Sequence, residues 1–219
     1  MDSEFWHERW ENNQIGFHLN EVNKVLLKYW PAMQLEQGQR VFVPLCGKTL
    51  DIIWLLQQGV EVVGVELSEI ALDELAADIR DQLQLTIEKD KRGDKIFYQA
   101  DKLTLISGDF FALSSQDIGP VDWIYDRASL VALPQEMRQQ YSQHLRLISD
   151  HAPQFLVTLN YDQSEMAGPP FSVAEQEVVS LYQDSYQIAL QESREIIDQE
   201  PKFKQRGVSS FKQDVYFLR

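Results

Sequence analysis

Cysteine occurs once in the 219 residues, at Cys46. No disulfide can therefore close within the chain, and a reducing compartment, the cytoplasm, is the expected location. No apolar run approaches the roughly 18 residues of a spanning helix, so no membrane segment is expected. The opening MDSEFWHERW lacks the basic and apolar regions of a secretory signal. Basic side chains are scarce: 20 Lys and Arg stand against 34 Asp and Glu, a net charge of −14. Nucleic-acid binding draws its affinity from neutralised phosphates, and no basic cluster stands out. A nucleic-acid or membrane-surface partner is not expected, and the excess acid serves solubility. The histidines, His7, His18, His144 and His151, are scattered and have no zinc-ligand spacing with the single cysteine, so no metal is expected. Repeats, low-complexity tracts and interdomain linkers are also missing. What remains is ordinary for one globular domain, 44% apolar and 25% charged.

The stretch that organises the chain is 41–68, VFVPLCGKTLDIIWLLQQGVEVVGVELS. Val41-Phe42-Val43 is a short apolar run of the kind buried on both faces of a parallel sheet. A turn, PLCGKT, follows. Leu50, Ile53, Trp54 and Gln57 recur at helical spacing, and Gly59 supplies a left-handed stop. Residues 61–65 form a second β-branched run, ending at Glu66. Strand, helix and strand make a βαβ unit, in which ligands bind beyond the carboxyl ends of the strands.

Two features sit at that end, the PLCGKT turn and Glu66. Glu66 lies 19 positions after Gly47, close to the roughly 20-residue spacing at which an acid accepts hydrogen bonds from ribose hydroxyls. The alternative is that Glu66 merely caps the next helix. Glycine is too sparse here for a dinucleotide: G-x-G-x-x-G needs two more. The P-loop pattern fails as well, because its first glycine falls on Phe42. Both phosphate cradles are incomplete. A cofactor with a ribose and no phosphate fits better, and S-adenosylmethionine is the common one.

Elsewhere the chain alternates helices and strands. Residues 21–30 are predicted helical, with Asn20 as N-cap and Pro31 as the stop. Ser68 opens a helix to about Leu83, with Ile70, Leu72, Leu75, Ala76 and Ile79 as its buried stripe. The charged segment before Lys95 is predicted to be loop, and 95–99 and 103–107 a hairpin. Strands are expected at 121–125, 155–159, 188–190 and 215–218, the last antiparallel. A helix is expected over 134–149, and another opened by a Ser172-x-x-Glu175 capping box. Asp109 and Asp126-Arg127 each follow or end a strand. Asp109 is either a turn residue or an acceptor for an adenine amine, and Arg127 either an ion-pair partner or a functional cation at the pocket mouth.

VFVPLCGKTLDIIWL…VVGVELSE resembles the thiopurine S-methyltransferase family of class I S-adenosylmethionine-dependent enzymes. The likeness continues through FWHERWENNQIGFH, GDFFAL, DWIYDRASLVALP and LNYDQSEMAGPPF. It is weakest over 76–94 and 183–205. The resemblance implies one α/β domain over 1–219 with a Rossmann-like fold: a mostly parallel seven-stranded sheet with its last strand antiparallel, helices on both faces, and residues 1–35 as an N-terminal lid and helix. It implies S-adenosylmethionine bound by Trp10, Leu45, Glu66, Asp109, Phe110 and Arg127. A small aromatic or heterocyclic thiol would meet Phe17, Arg127 and Arg206, with Arg127 as the catalytic residue, in a monomer. The position of a substrate-side arginine of the family falls on Lys202, and Arg206, one turn on, is its substitute here.

Methyl transfer to sulfur is an in-line displacement that asks mainly for alignment of the reactants. Heteroaromatic thiols ionise without a strong base, so the lack of a His-Asp pair is no objection. Two alternatives share this fold: methylation of selenium or tellurium species, and a non-catalytic nucleoside-binding protein.

Overall fold

A computed structural model describes residues 3–16 and 18–219. Phe17, expected on the substrate side, lies outside the described residues. Two compact units divide the chain, the first ending at Trp123 and the second beginning at Ile124.

The first unit holds helices α1 (Ser3–Glu11) and α2 (Lys24–Met33), strand β1 (Arg40–Val43), α3 (Asp51–Gln57), β2 (Glu61–Glu66), α4 (Glu69–Leu83), β3 (Glu88–Arg92), β4 (Lys95–Ala100), β5 (Leu103–Ser107), a 3-10 turn at Phe110–Ala112, and α5 (Ser115–Ile118). Its strands lie in the order β3-β4-β5-β2-β1. Strands β1, β2 and β5 are parallel, with Val43 opposite Gly64 and Glu66 opposite Ser107. Their carboxyl ends therefore share one edge. Val41, Phe42, Val62, Val65, Leu105 and Ile106 are buried, which explains why these runs are apolar without alternation.

Four local expectations are corrected here. Helix α2 starts at Lys24, because Asn23 and not Asn20 caps it, accepting the N–H of Val25 at 2.8 Å. It also runs through Pro31 to Met33. Proline at 31 costs the bond to the Leu27 carbonyl, on an exposed residue where water can replace it, while Met33 is buried. In α4 the buried stripe uses Ala71 in place of Ile70, which is exposed. Finally, β3 is a strand although all of EKDKR is exposed. It pairs antiparallel with β4, and its charges suit an edge strand.

The second unit takes β6 (Trp123–Arg127), a 3-10 turn at Leu130–Ala132, α6 (Gln135–Ile148), β7 (Gln154–Asn160), α7 (Glu175–Tyr182), β8 (Ile188–Glu195), a 3-10 turn at Ile197–Gln199, α8 (Pro201–Gln205) and β9 (Lys212–Leu218). Its strand order is β6-β7-β9-β8. Strands β6 and β7 are parallel, and β9 is antiparallel to both neighbours as expected. Tyr125 stacks on Phe155 at 5.7 Å, and Phe155 meets Phe217 at 5.3 Å. A smaller core of Tyr161, Met166, Phe203 and Phe211 joins α8 to the segment after β7. The Ser172 capping box does not form. Ala174 is the N-cap of α7, and the Ser172 hydroxyl instead donates to the Tyr161 carbonyl at 2.7 Å and accepts its N–H at 3.0 Å.

The described strands number nine, not the expected seven. Strand β4 is the expected partner of β5 in a hairpin, and β3, read as loop, adds a further strand at its edge. Among the described residues no helix is long and apolar enough to cross a membrane.

Candidate active site

The turn after β1 is built against the end of β2. Cys46 donates its N–H to the Val65 carbonyl at 2.8 Å. Leu45 and Gly47 both take left-handed backbone, at φ +45° and +53°. For a branched residue such as Leu45 that is a strained conformation of the kind that clusters at ligand sites. Gly47 is required twice over, since a Cβ there would sit 3.2 Å from Cζ2 of the Trp10 indole. Trp10 is itself buried. It covers the turn from α1.

Glu66 is buried at the end of β2, 7% exposed. Its Oε2 accepts the Gly47 N–H and its Oε1 the Ser68 N–H, both at 2.9 Å. Burial pushes its carboxyl pKa up. The N–H groups of Ser68, Gly47 and Leu67, and the nearby His7, pull the other way. Glu66 thus does bond the N-cap residue of α4, as its bland alternative required, but it also grips the turn. A carboxylate offers about four acceptor sites, more than these bonds use, so capacity remains for ribose hydroxyls. His7 was not singled out from the sequence. The signal existed: it stands three residues before Trp10 on one helix and so shares its face.

Other groups in the turn are committed elsewhere. The Lys48 ammonium pairs with Glu74 at 2.6 Å, facing α4 and not a phosphate. The Cys46 thiol is buried and donates to the Gly47 carbonyl at 3.6 Å. Burial first, and the Glu66 charge second, raise its pKa well above the usual thiol range. Gly64 makes room for it, because a Cβ there would lie 3.0 Å from Cys46 Sγ.

Past β5, Asp109 is exposed, and its Oδ1 accepts the Phe111 N–H at 3.0 Å. The turn role is therefore real, and a carboxylate on an exposed residue keeps capacity for a further acceptor bond. Phe110 is buried, and the half-buried Phe111 meets it edge-on at 5.3 Å. The first unit thus brings Trp10, Leu45 and Glu66 together around Gly47, and Asp109 and Phe110 follow the neighbouring strand β5.

Arg127 and Arg206 belong to the second unit. Arg127 ends β6 opposite Val157 and is half-buried. Its guanidinium has no hydrogen bond or ion pair among the described residues. Arg206 is exposed at the end of α8. Asp126, expected at a pocket mouth, is instead fully buried and accepts the Tyr141 hydroxyl at 2.7 Å and the Leu130 N–H at 3.2 Å. No spacing or motif pointed to Arg138. It is buried, donating to the Leu133 carbonyl at 2.9 Å, the Ser172 carbonyl at 3.1 Å and Glu177 at 2.6 Å. Together with the bond from Phe171 N–H to the Val131 carbonyl at 2.7 Å, it ties the segment after β6 to the segment after β7.

The family model described as "Thiopurine S-methyltransferase (TPMT)" matches residues 1–219. The chain belongs to the thiopurine S-methyltransferase family. A thiopurine S-methyltransferase of Pseudomonas aeruginosa (strain UCBPP-PA14) is 44% identical over 219 residues, covering 100% of this chain and 99% of that protein. One from Bordetella petrii is 44% identical over 220 residues, with the same coverage. Among solved structures, magnesium protoporphyrin IX methyltransferase from Synechocystis PCC 6803 with bound SAH superposes with a TM-score of 0.67 at 15% identity, covering all of both chains. An arsenic(III) S-adenosylmethionine methyltransferase from Chlamydomonas reinhardtii superposes with a TM-score of 0.58 at 17% identity, over 83% of this chain and 64% of that one. This thiopurine S-methyltransferase family member therefore has the class I methyltransferase fold expected from its sequence.

Proposed function

We propose that this chain transfers a methyl group from S-adenosylmethionine to the sulfur of a small aromatic or heterocyclic thiol, such as a thiopurine. The observation that carries the cofactor assignment is Glu66: a buried carboxylate at the end of β2, clamped to the Gly47 turn, with acceptor capacity to spare. A turn without a phosphate cradle, whose lysine is paired with Glu74, supports a nucleoside over a nucleotide. Trp10, Leu45, Glu66, Asp109, Phe110 and Arg127 are the residues we assign to the cofactor, and Phe17, Arg127 and Arg206 to the thiol. Residues 1–219 act as a single domain, matched over that whole length by the family model, with 1–35 as lid and helix. We take the protein to be a cytoplasmic monomer with no nucleic-acid or membrane partner.

When bound, S-adenosylmethionine supplies a methyl group already activated on a sulfonium. The protein's part is alignment and exclusion of water. Glu66 orients the ribose by accepting its hydroxyls, and Trp10 closes the turn against solvent. Arg127 meets the thiolate or its ring nitrogens through charge-assisted hydrogen bonds. It takes no proton, because a guanidinium stays protonated. A half-buried arginine with no partner of its own among the described residues supports that role.

Steady-state rates at saturating cofactor test it. Arg127→Lys keeps charge without the planar fork, and Arg127→Ala loses both. kcat/KM for a thiol should fall in the order wild type, Lys, Ala, with Ala down about ten- to hundredfold. The pH profile should follow the pKa of the thiol used. An enzyme pKa near neutrality, the same for every thiol, would contradict this and point to His18 as a base.

A further inference from the structure

Arg127 is assigned a role that needs a fixed geometry, yet its guanidinium has no hydrogen bond or ion pair among the described residues. Its placement therefore depends on the backbone on either side. On one side is the β6–β7 ladder, where Arg127 is the last paired residue. On the other, the chain turns through Ala128 at φ +65°, a left-handed conformation that a non-glycine residue holds only when its surroundings impose it.

Asp126 supplies those surroundings. It is fully buried, as is Ser129. One oxygen accepts the Leu130 N–H at 3.2 Å, and Ser129 donates as well. The other oxygen accepts the Tyr141 hydroxyl at 2.7 Å from α6. A single carboxylate thus closes the turn over Ala128 from the residue before Arg127 to the two residues that follow Ala128, and anchors that turn to the buried Tyr141 of α6. A hydrophobic residue would fill the same space more cheaply, since an unneutralised buried carboxylate is costly. The carboxylate's bonds are directed at the turn.

We propose that Asp126 is a positioning residue for Arg127, holding the 127–130 turn so that the guanidinium meets the acceptor thiol. This rests on the assignment of Arg127 to the thiol. A double-mutant cycle with Asp126→Asn and Arg127→Ala, read as kcat/KM for one thiol at saturating cofactor, tests it. Asp126→Asn should lower kcat/KM about tenfold, mostly through KM, while the affinity for S-adenosylhomocysteine stays within about twofold of wild type. In the Arg127→Ala background the same change should cost less than about twofold. An equal loss in both backgrounds, or no loss from Asp126→Asn, overturns the positioning role and leaves Arg127's assignment standing. An Arg127→Ala variant as active as wild type overturns that assignment, and this proposal with it. If Asp126→Asn does not fold, Tyr141→Phe removes the hydroxyl through which α6 holds Asp126 and Ser129 and runs through the same cycle, with the same two outcomes deciding.

Discussion

The carboxylate of Glu66 accepts the backbone N–H of Gly47 at 2.9 Å, a bond that spans 19 residues of chain. The acid assigned to the ribose is therefore also the staple that fixes the turn after β1 to the end of β2. Specificity and local structure meet in one side chain, so its substitutions should show in both.

Glu66→Ala removes an acceptor for charge-assisted bonds worth about 1.5–3 kcal/mol each, and affinity for S-adenosylhomocysteine should drop about ten- to hundredfold. It also leaves the N–H groups of Gly47 and Ser68 unpaired, so Tm should fall. Glu66→Gln keeps one acceptor oxygen and should lie between. Calorimetry with a parallel thermal melt checks both effects. A folded Ala variant with unchanged affinity would reduce Glu66 to a capping residue.

Cys46 is buried, and its thiol is pushed up by burial and by Glu66, the opposite of what a nucleophile needs. Cys46→Ser should keep kcat within about threefold of wild type, and the native thiol should resist alkylation at neutral pH. Full loss of activity in a folded variant that still binds cofactor would reveal a covalent step.

Burial raises the Asp126 carboxyl from 3.8 to about 6, against the bonds it accepts from Tyr141, Leu130 and Ser129. Between those values the folded chain holds more protons than the unfolded one. Stability from this group is complete below the lower value and is lost as pH rises through the upper, a change of about 3 kcal/mol. Urea denaturation of wild type and Asp126→Asn at pH 4 and pH 6.5 isolates it, because Asp73, Asp117 and Glu195, whose values are lowered, are common to both. The variant should gain on wild type as pH rises. Parallel profiles would contradict the assignment.

Much of the first unit could be read in advance because its signals are local and periodic. The apolar runs at 41–43 and 61–65, the left-handed glycine at 59 and the acid at Glu66 each follow from residue type and spacing. What escaped depended on partners far along the chain. EKDKR carries no strand signal, since β3 forms only because β4 offers an edge to pair with. Pro31 stops nothing, because burial of Met33 rewards the extra turn. Arg138 sits on a helix whose glutamate and glutamines face water, and only its tertiary partners in Leu133, Ser172 and Glu177 reveal its place.

Arg138 also carries a stability prediction. Its side chain is 3% exposed and pairs with Glu177 at 2.6 Å. Arg138→Met strands that carboxylate and two carbonyls, and should cost about 3–5 kcal/mol in chemical denaturation. Adding Glu177→Gln should recover part of the loss. A single variant as stable as wild type would show that the two segments hold together without the clamp.

The most direct measurement is methyl transfer itself. Purified protein is given S-adenosylmethionine labelled on its methyl group, with a thiopurine, a thiophenol and a selenium oxyanion in separate reactions, and the products are identified by mass. The label should appear on the sulfur of the two thiols, with one S-adenosylhomocysteine formed per product and no acceptor-independent release. Tight binding of S-adenosylhomocysteine with no labelled thiol would contradict a thiol methyltransferase and leave a nucleoside-binding protein of the same fold. Label found on the selenium species alone would keep the cofactor and replace the acceptor.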